Sequence, residues 1–143
     1  MQNVLPLLQL EDIFFPIQEV RAIAEHDPAG ELRGTQITQS FEFQVLDQAR
    51  QRYGVVLEIS IDEEKSVNPP YSFKLQAFAN FSVESSLDPV SALALIQANG
   101  AMILVGAVRE RLLELTSRAP WGRFMLNTLP IQFLQHPLPA ATE

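Results

Sequence analysis

The sequence predicts an α+β fold in which a four-stranded antiparallel sheet packs against two C-terminal helices. Two observations lead to this prediction. Before residue 85, several segments alternate apolar and polar side chains with the period of two that half-buried strands show. After residue 85, apolar side chains recur at the three- and four-residue spacing of helices. The 143 residues suit one domain, divided into a sheet (1–85), helices (88–118) and a closing loop with a tail (119–143).

Three segments alternate clearly enough to be predicted as strands. In YGVVLEISIDEE, at 53–64, the apolar side chains fall on one face and mostly polar ones on the other. The segments TQITQSFEFQVLDQ at 35–48 and YSFKLQAFANFSV at 71–83 follow the same pattern. In the last of them Phe78 is the one apolar side chain on the polar face.

A fourth strand, the first along the chain, is predicted at about 8–26 and is less regular. Its apolar set changes face near Pro16, which predicts a bulge or an edge position. Phe14 and Phe15 are adjacent in this strand, so one of the two must point away from the core.

Two helices are predicted after the sheet. DPVSALALIQANG, at 88–100, has Asp88 as its N-cap, Pro89 at the first helical position and Gly100 as a C-terminal stop. AMILVGAVRERLLELTSR, at 101–118, is predicted to form the second helix.

The second predicted helix has a polar face only from Arg109 onward. At 101–108 it is apolar all round, and such a helix must be covered on all sides, whereas one sheet covers one side. A second copy of the chain, in a dimer or a tetramer, is therefore expected to contact the interface residues Met102, Ile103, Leu104, Val105 and Val108.

A membrane span is the competing explanation, because residues 89–108 carry no charge and are long enough to cross a bilayer. Pro89, Gln97, Asn99 and Gly100 inside this window argue against it. The sequence therefore favours a buried interface over membrane insertion.

Composition and charge narrow the class of protein. An apolar content of 47% with 19% charged residues is typical of a globular chain, and without cysteine no disulfide can form. Because the N-terminus resembles no secretory signal, a cytoplasmic location is expected. Thirteen of the 17 acidic side chains and six of the ten basic ones lie in 1–85, so this part carries the whole net charge of −7. That distribution disfavours nucleic acid and favours a basic protein partner.

Catalytic and metal-binding motifs are missing from the sequence. It has no glycine-rich phosphate loop and no nucleophile elbow, and neither His26 nor His136 has a partner at metal-ligand spacing. We therefore expect no enzyme activity, no metal and no cofactor. An enzyme or small-ligand protein remains a competing hypothesis, because folding could assemble a site that spacing does not show.

A candidate binding surface comes from aromatic and methionine side chains outside the regular pattern. The segment APWGRFMLNTLPIQFLQHP, at 119–137, is rich in them and in proline. It either seals the core or forms the wall of a groove, since aromatics and methionine on irregular backbone suit binding without sequence selectivity. The candidate residues are Phe14, Phe15, Phe78, Trp121, Phe124 and Met125.

The order of these segments resembles that of the SecB-type export chaperones. Ser117 and Arg118 are similar to the family's stop after its long helix. The strand at 71–83 resembles the family's fourth strand, and LLQLEDIFF resembles its first. The closing segment of the family is matched by Leu126, Leu129, Pro130, Ile131, Gln132 and Phe133. The resemblance covers roughly residues 7–134.

This resemblance implies a holdase chaperone that binds unfolded or newly made polypeptides in apolar grooves without ATP. It also implies dimers that pair into a homotetramer, and an acidic sheet face for the SecA motor of protein export. Loose candidates for that contact are Glu11, Asp12 and Glu19. Some relatives instead serve one antitoxin of a toxin–antitoxin pair, so a dedicated partner is the alternative. The chain ends ten residues after Phe133, so the family's last helix and acidic tail are expected to be missing.

Overall fold

The computed structural model describes residues 7–30 and 34–127. In chain order, the protein has strands β1 (Leu8–Ala22), β2 (Ile37–Asp47), β3 (Arg52–Ile61) and β4 (Tyr71–Val83), followed by helix α1 (Pro89–Thr116). The predicted closing residues 129–133, His136 and the rest of the tail lie outside the described residues.

The four strands form one antiparallel sheet in the order β1-β4-β3-β2, as predicted. β2, β3 and β4 follow one another as hairpins, whereas β1 pairs with β4. The connection at 23–36, here called the crossover, therefore leads from one edge strand of the sheet to the other.

The predicted alternation sets the two faces of the sheet. One face of β3 and β4 is buried under the helix and consists of Tyr53, Val55, Leu57, Ile59, Tyr71, Phe73, Leu75, Ala77, Ala79, Phe81 and Val83. On the edge strand β2, Phe41 is buried, while Phe43 and Val45 are half-buried and pack against the same core. The core therefore lies between the sheet and α1.

Strand β1 is irregular in the way that its sequence predicts, although it ends at Ala22 and does not continue to residue 26. Its register against β4 shifts between Leu10 and Asp12 and again between Phe14 and Ile17. The second shift lies at Pro16, and it allows residues on both sides of the proline to pair with β4.

The structure has one long helix where the sequence predicts two. Gly100, predicted to stop the first helix, lies inside α1 and is buried. A Cβ at this position would lie 3.3 Å from Phe81 Cε2 and from Ile96 Cγ2, so the glycine lets the helix approach the sheet. Packing thus explains this glycine, and the predicted break was wrong. The predicted start is confirmed, because the Asp88 side chain accepts a 2.7 Å bond from Ser91 N.

Helix α1 packs on β4, β3 and β1 through every fourth residue. This sheet-facing row is buried along its whole length and comprises Ala92, Ile96, Gly100, Leu104, Val108, Leu112 and Thr116. Residues four apart lie one above the other on a helix, so the row forms one ridge against the sheet.

The β3–β4 loop holds the crossover at the end of the sheet. Asn68, with a φ of 53°, exchanges two 2.8 Å side-chain bonds with the backbone N and O of Asp27, and its carbonyl accepts from His26 Nδ1 at 2.9 Å. Further along, Val67 N donates to Gly34 O at 2.8 Å. A Cβ on Gly34 would lie 1.7 Å from Val67 O, so only glycine permits this approach.

Candidate functional site

The six predicted client-binding residues fall into two groups on opposite faces of the sheet. Phe14 and Phe78 lie on the face away from the helix, where their rings stack at a centroid distance of 5.1 Å. Phe15, Trp121 and Phe124 pack against the core. Met125, the sixth residue, is 55% exposed. The structure therefore does not join the six into one surface.

The outer pair continues into an apolar row across the sheet. Phe78 is paired with Phe14 on β1 and with Val56 on β3. The Phe78 ring lies over Gly54, where an added Cβ would be 2.8 Å from Phe78 Cζ. Phe14 remains 43% exposed.

The acidic candidates lie on β1. Glu11, Asp12 and Glu19 are exposed, and Glu11 accepts a 2.6 Å bond from Ser82 Oγ. Asp12 and Glu19 pair in register with Asn80 and Lys74 of β4. Asp12 is therefore next to the outer aromatic pair, and Glu11 and Glu19 lie further along β1 on either side of it.

Two members of the second group, Trp121 and Phe124, lie in the segment at 117–127, here called the post-helix loop. Trp121 contacts the crossover twice, because its Nε1 donates to Ile23 O at 2.9 Å and its ring lies 5.1 Å from that of His26. The Phe124 ring lies 5.4 Å from Phe73 and 6.4 Å, edge-on, from Tyr71. These aromatics join the loop to the end of the sheet.

Polar side chains pin the backbone of this loop at three points. Tyr71 Oη accepts from Trp121 N at 3.0 Å and donates to Gly122 O at 2.6 Å. Thr116 Oγ1 accepts from Phe124 N at 2.9 Å. Arg109 Nε donates to Leu126 O at 2.7 Å. The loop is irregular, yet side chains satisfy its backbone groups.

The post-helix loop therefore both seals the core and presents apolar surface, each through different residues. Leu126 is buried and Phe124 half-buried against the core, so these two residues seal it. Trp121 is half-buried, and Met125, four residues further along the same loop, is exposed. These last two offer apolar surface to a ligand.

Burial shifts the pKa of the two inner tyrosines. It raises the pKa of Tyr53 and of Tyr71, and for Tyr71 the bond from Trp121 N–H offsets part of the rise. A phenol with the ordinary pKa of 10.0 is already neutral at pH 7, so the Tyr71 hydroxyl can donate as well as accept.

Two open hollows lie near this part of the fold, and only the second is lined by residues of the post-helix loop. One, of about 360 Å³, lies at the start of the crossover and is lined by Arg21, Ala22, Ile23, Ala24, Glu25, Glu63 and Pro69. The other, of about 330 Å³, lies beside the last turns of α1 and is lined by Glu110, Leu113, Glu114, Ser117 and Arg123. Within 7–30 and 34–127, no group of three His, Asp or Glu side chains is placed to hold a metal ion.

The predicted interface residues divide between the two sides of α1. Leu104 and Val108 belong to the sheet-facing row, and Val105 is only 7% exposed. These three residues pack on the chain's own core and leave almost no surface for a second copy to contact, so the prediction that they form the interface is wrong. Met102 is 64% and Ile103 38% exposed, and these two stay predicted interface residues.

Opposite the sheet-facing row runs an outer row that is exposed throughout. It comprises Val90, Ala94, Ala98, Met102, Gly106, Glu110 and Glu114. Its first five members are apolar and its last two are acidic. By length and composition α1 could cross a membrane, but core helices of soluble proteins pass the same test and this one packs on a sheet.

Sequence reasoning missed Tyr71, Thr116 and Arg109 as the residues that hold the post-helix loop. Tyr71 was predicted only to face inward, and Arg109 only to begin a polar face. One general signal was available, because a buried tyrosine hydroxyl needs a hydrogen-bond partner. The partner itself could not be read from the sequence, since it lies 50 residues away.

The arrangement of a meandering antiparallel sheet, one long helix and an apolar loop pinned to the sheet end defines the class of fold. It is similar to that of a SecB-like chaperone of Mycobacterium tuberculosis in complex with a ChAD peptide from the HigA1 antitoxin. The TM-score is 0.61 at 19% sequence identity, over 88% of this chain and 93% of that one. The sequence resemblance is thus supported, and the fold is SecB-like.

A second solved structure, of a protein of unknown function from Streptococcus agalactiae, is also similar. Its TM-score is 0.53 at 16% identity, over 85% of this chain and 97% of that one. No protein-family model matches the sequence, and no curated protein matches it significantly.

Proposed function

We propose that this protein is a non-enzymatic chaperone that binds apolar segments of unfolded polypeptides at the junction of the crossover and the post-helix loop. The observation that carries the proposal is the placement of Trp121 and Met125. Both present apolar surface on an irregular backbone that hydrogen bonds hold in place. A protein of the same fold, from M. tuberculosis, has been solved with a peptide from an antitoxin.

The expected strength of one such site is modest. An aromatic or methionine contact with a client removes about 50–100 Å² of apolar surface from water, worth ~1–3 kcal/mol. Ordering a disordered client offsets much of this gain. Several sites that engage one long client would raise the effective concentration and so the overall affinity. Folded proteins, which bury their apolar side chains, are not expected to bind.

Two exposed apolar residues, one in the post-helix loop and one on the outer sheet face, provide a direct test of this location. We expect the wild-type protein to suppress the aggregation of an unfolding client, measured by light scattering at several molar ratios. Met125→Asp, in the post-helix loop, should weaken the suppression, whereas Phe14→Asp, on the outer sheet face, should leave it unchanged. Failure of the wild type at every ratio would contradict the chaperone role, and equal loss in both variants would contradict the location.

A dedicated partner, such as an antitoxin, is the second candidate function. The antitoxin peptide bound to the M. tuberculosis protein favours it. Affinity capture from the native host distinguishes the two candidates, since a broad mixture of captured proteins supports the general chaperone and one dominant protein supports the dedicated one.

We also propose that a second copy of the chain covers the apolar part of the outer row. Five consecutive members of this row, Val90 to Gly106, are exposed and uncharged. The measurement is the mass in solution by light scattering after size exclusion. We expect a dimer or tetramer for the wild type and a smaller species for Met102→Glu. A wild-type monomer would overturn this proposal.

The outer sheet face is proposed as a separate surface for a basic protein partner, of which the SecA motor is the example that the resemblance suggests. Exposed Phe14 and the carboxylates of Asp12 and Glu19 support it through charge complementarity. Asp12→Lys with Glu19→Lys should abolish binding to SecA in a calorimetric titration, and Met125→Asp should not affect it. A wild type that does not bind SecA would exclude this partner.

A further inference from the structure

We infer that Tyr71 is a positioning residue of the client site, whose hydroxyl sets the place of Trp121. The inference rests on the proposed function for its biological meaning, because Trp121 matters as a wall of the client site only if clients bind there. Its structural content, that one hydroxyl holds the tryptophan, is testable in the protein without a client.

The Tyr71 hydroxyl satisfies two consecutive residues of the post-helix loop. It accepts from the backbone N–H of Trp121 and donates to the carbonyl of Gly122. Gly122 has a φ of 82°, so the chain turns sharply here and presents both groups to the same oxygen. Since Tyr71 itself is 1% exposed, water cannot readily replace it as the partner.

The other end of Trp121 is held by the same end of the sheet. Its indole N–H donates to Ile23 O, and Ile23 N in turn donates to Pro70 O at 2.9 Å. Pro70 precedes Tyr71, which pairs in register with Ala22. The backbone and the ring of Trp121 are therefore anchored on neighbouring residues of one strand pair. We conclude that the tryptophan is placed by the sheet and not by the loop.

When Trp121 is already held in place, binding a client costs less conformational entropy. A loop that is already ordered loses little freedom when a client arrives, whereas a loosened loop must be ordered at that moment. Removal of the hydroxyl should therefore weaken client binding about five-fold, the change that one ordinary hydrogen bond corresponds to. It should also expose the indole, even without a client.

The experiment compares Tyr71→Phe with Tyr53→Phe. Both tyrosines are buried on adjacent strands, but Tyr53 donates its hydroxyl proton to Gln51 Oε1, outside the post-helix loop. Trp121 is the one tryptophan of the chain, so all tryptophan fluorescence reports on it. In the free protein, Tyr71→Phe should shift the emission to the red and increase quenching by acrylamide, and Tyr53→Phe should match the wild type. Binding of a permanently unfolded polypeptide, measured by anisotropy, should weaken only in Tyr71→Phe.

Each outcome decides the inference. Equal emission and quenching in the two variants would overturn it, whatever the client does. A red shift confined to Tyr71→Phe would support it, and if the wild type then bound no unfolded polypeptide, the proposed function alone would fail. Should Tyr71→Phe not fold, Gly122→Ala replaces it, because an added Cβ there meets no atom within 4 Å and only the turn is strained. Gly122→Ala should give the same red shift, and wild-type fluorescence in that variant would overturn the inference.

Discussion

Both halves of helix α1 pack on the sheet through the same row of residues. They differ in the side chains that they expose on the opposite side. The sheet-facing row is buried from Ala92 to Thr116. The outer row is apolar from Val90 to Gly106 and acidic at Glu110 and Glu114.

Three charged residues of the second half, Arg109, Arg111 and Glu114, find partners in their own chain. Arg109 donates to the post-helix loop, and Arg111 donates to Gln18 of β1 at 2.5 Å and to Glu114 at 2.9 Å. The apolar outer residues of the first half have no comparable cover among the described residues, with Met102 64% exposed. The fold of one chain therefore explains the polar outer surface of the second half better than the apolar outer surface of the first.

The largest expected change in stability comes from truncating a residue of the sheet-facing row in the first half of α1, in comparison with a residue of the outer row. Leu104→Ala should destabilise the protein by about 2–5 kcal/mol, because it leaves a cavity against the sheet. Met102→Ala, two residues away and of similar size, should cost less than about 1 kcal/mol in the monomer. The measurement is urea denaturation at several protein concentrations. A concentration dependence that Met102→Ala removes would show that the outer row is covered by another copy, whereas equal losses in both variants would contradict the comparison.

Two glycines of α1 sharpen the same contrast. In the monomer, Gly106→Ala should stabilise the helix by about 0.5–1 kcal/mol, because its added Cβ meets no atom of the same chain within 4 Å. Gly100→Val should destabilise by about 1–3 kcal/mol, because the larger side chain collides with Phe81. Thermal unfolding of the two variants provides the measurement. If Gly106→Ala destabilised the protein, a second copy of the chain would have to contact the outer row at that position.

The smallest expected change in stability concerns Asp88, the N-cap at the start of the apolar half of α1. The backbone and side chain of Ser91 hold the pKa of Asp88 below its ordinary value of 3.8. The carboxylate therefore contributes stability above that value, and the contribution is lost as the pH falls through the lowered pKa of the folded state. Asp88→Asn retains an N-cap acceptor without a titrating group, so its stability should vary less with pH between about 5 and 2. An unchanged pH profile would contradict a role for the charge.

Much of the fold could be predicted because its strands have one buried and one polar face. In β3 and β4 the alternation alone identified the inward residues, and the structure buries all of them except Ile61, which is half-buried against the core. The predicted break at Gly100 failed for the opposite reason. In a sequence, a glycine within a helical pattern indicates the end of a helix. Only the structure shows that Gly100 lies close to Phe81 and lets the helix pack on the sheet.

The candidate site could be predicted only in part. The composition of 119–137 indicated an apolar loop, and the described portion of it does contain both sealing and exposed residues. The separation of Phe14 and Phe78 from Trp121 depends on which face each strand presents, and the shifts of register in β1 decide that. The role of Tyr71 depends on a contact between residues 50 positions apart.

By itself, the sequence determined the alternating strands, the capped start of the helix and the excess of apolar side chains near its middle, because these follow from local periodicity and from the chemistry of single residues. Only the tertiary structure decided that the helix is continuous, which of its rows is buried and which hydroxyl holds the tryptophan. Those properties depend on distances between segments far apart in the chain, and local pattern carries no information about such distances.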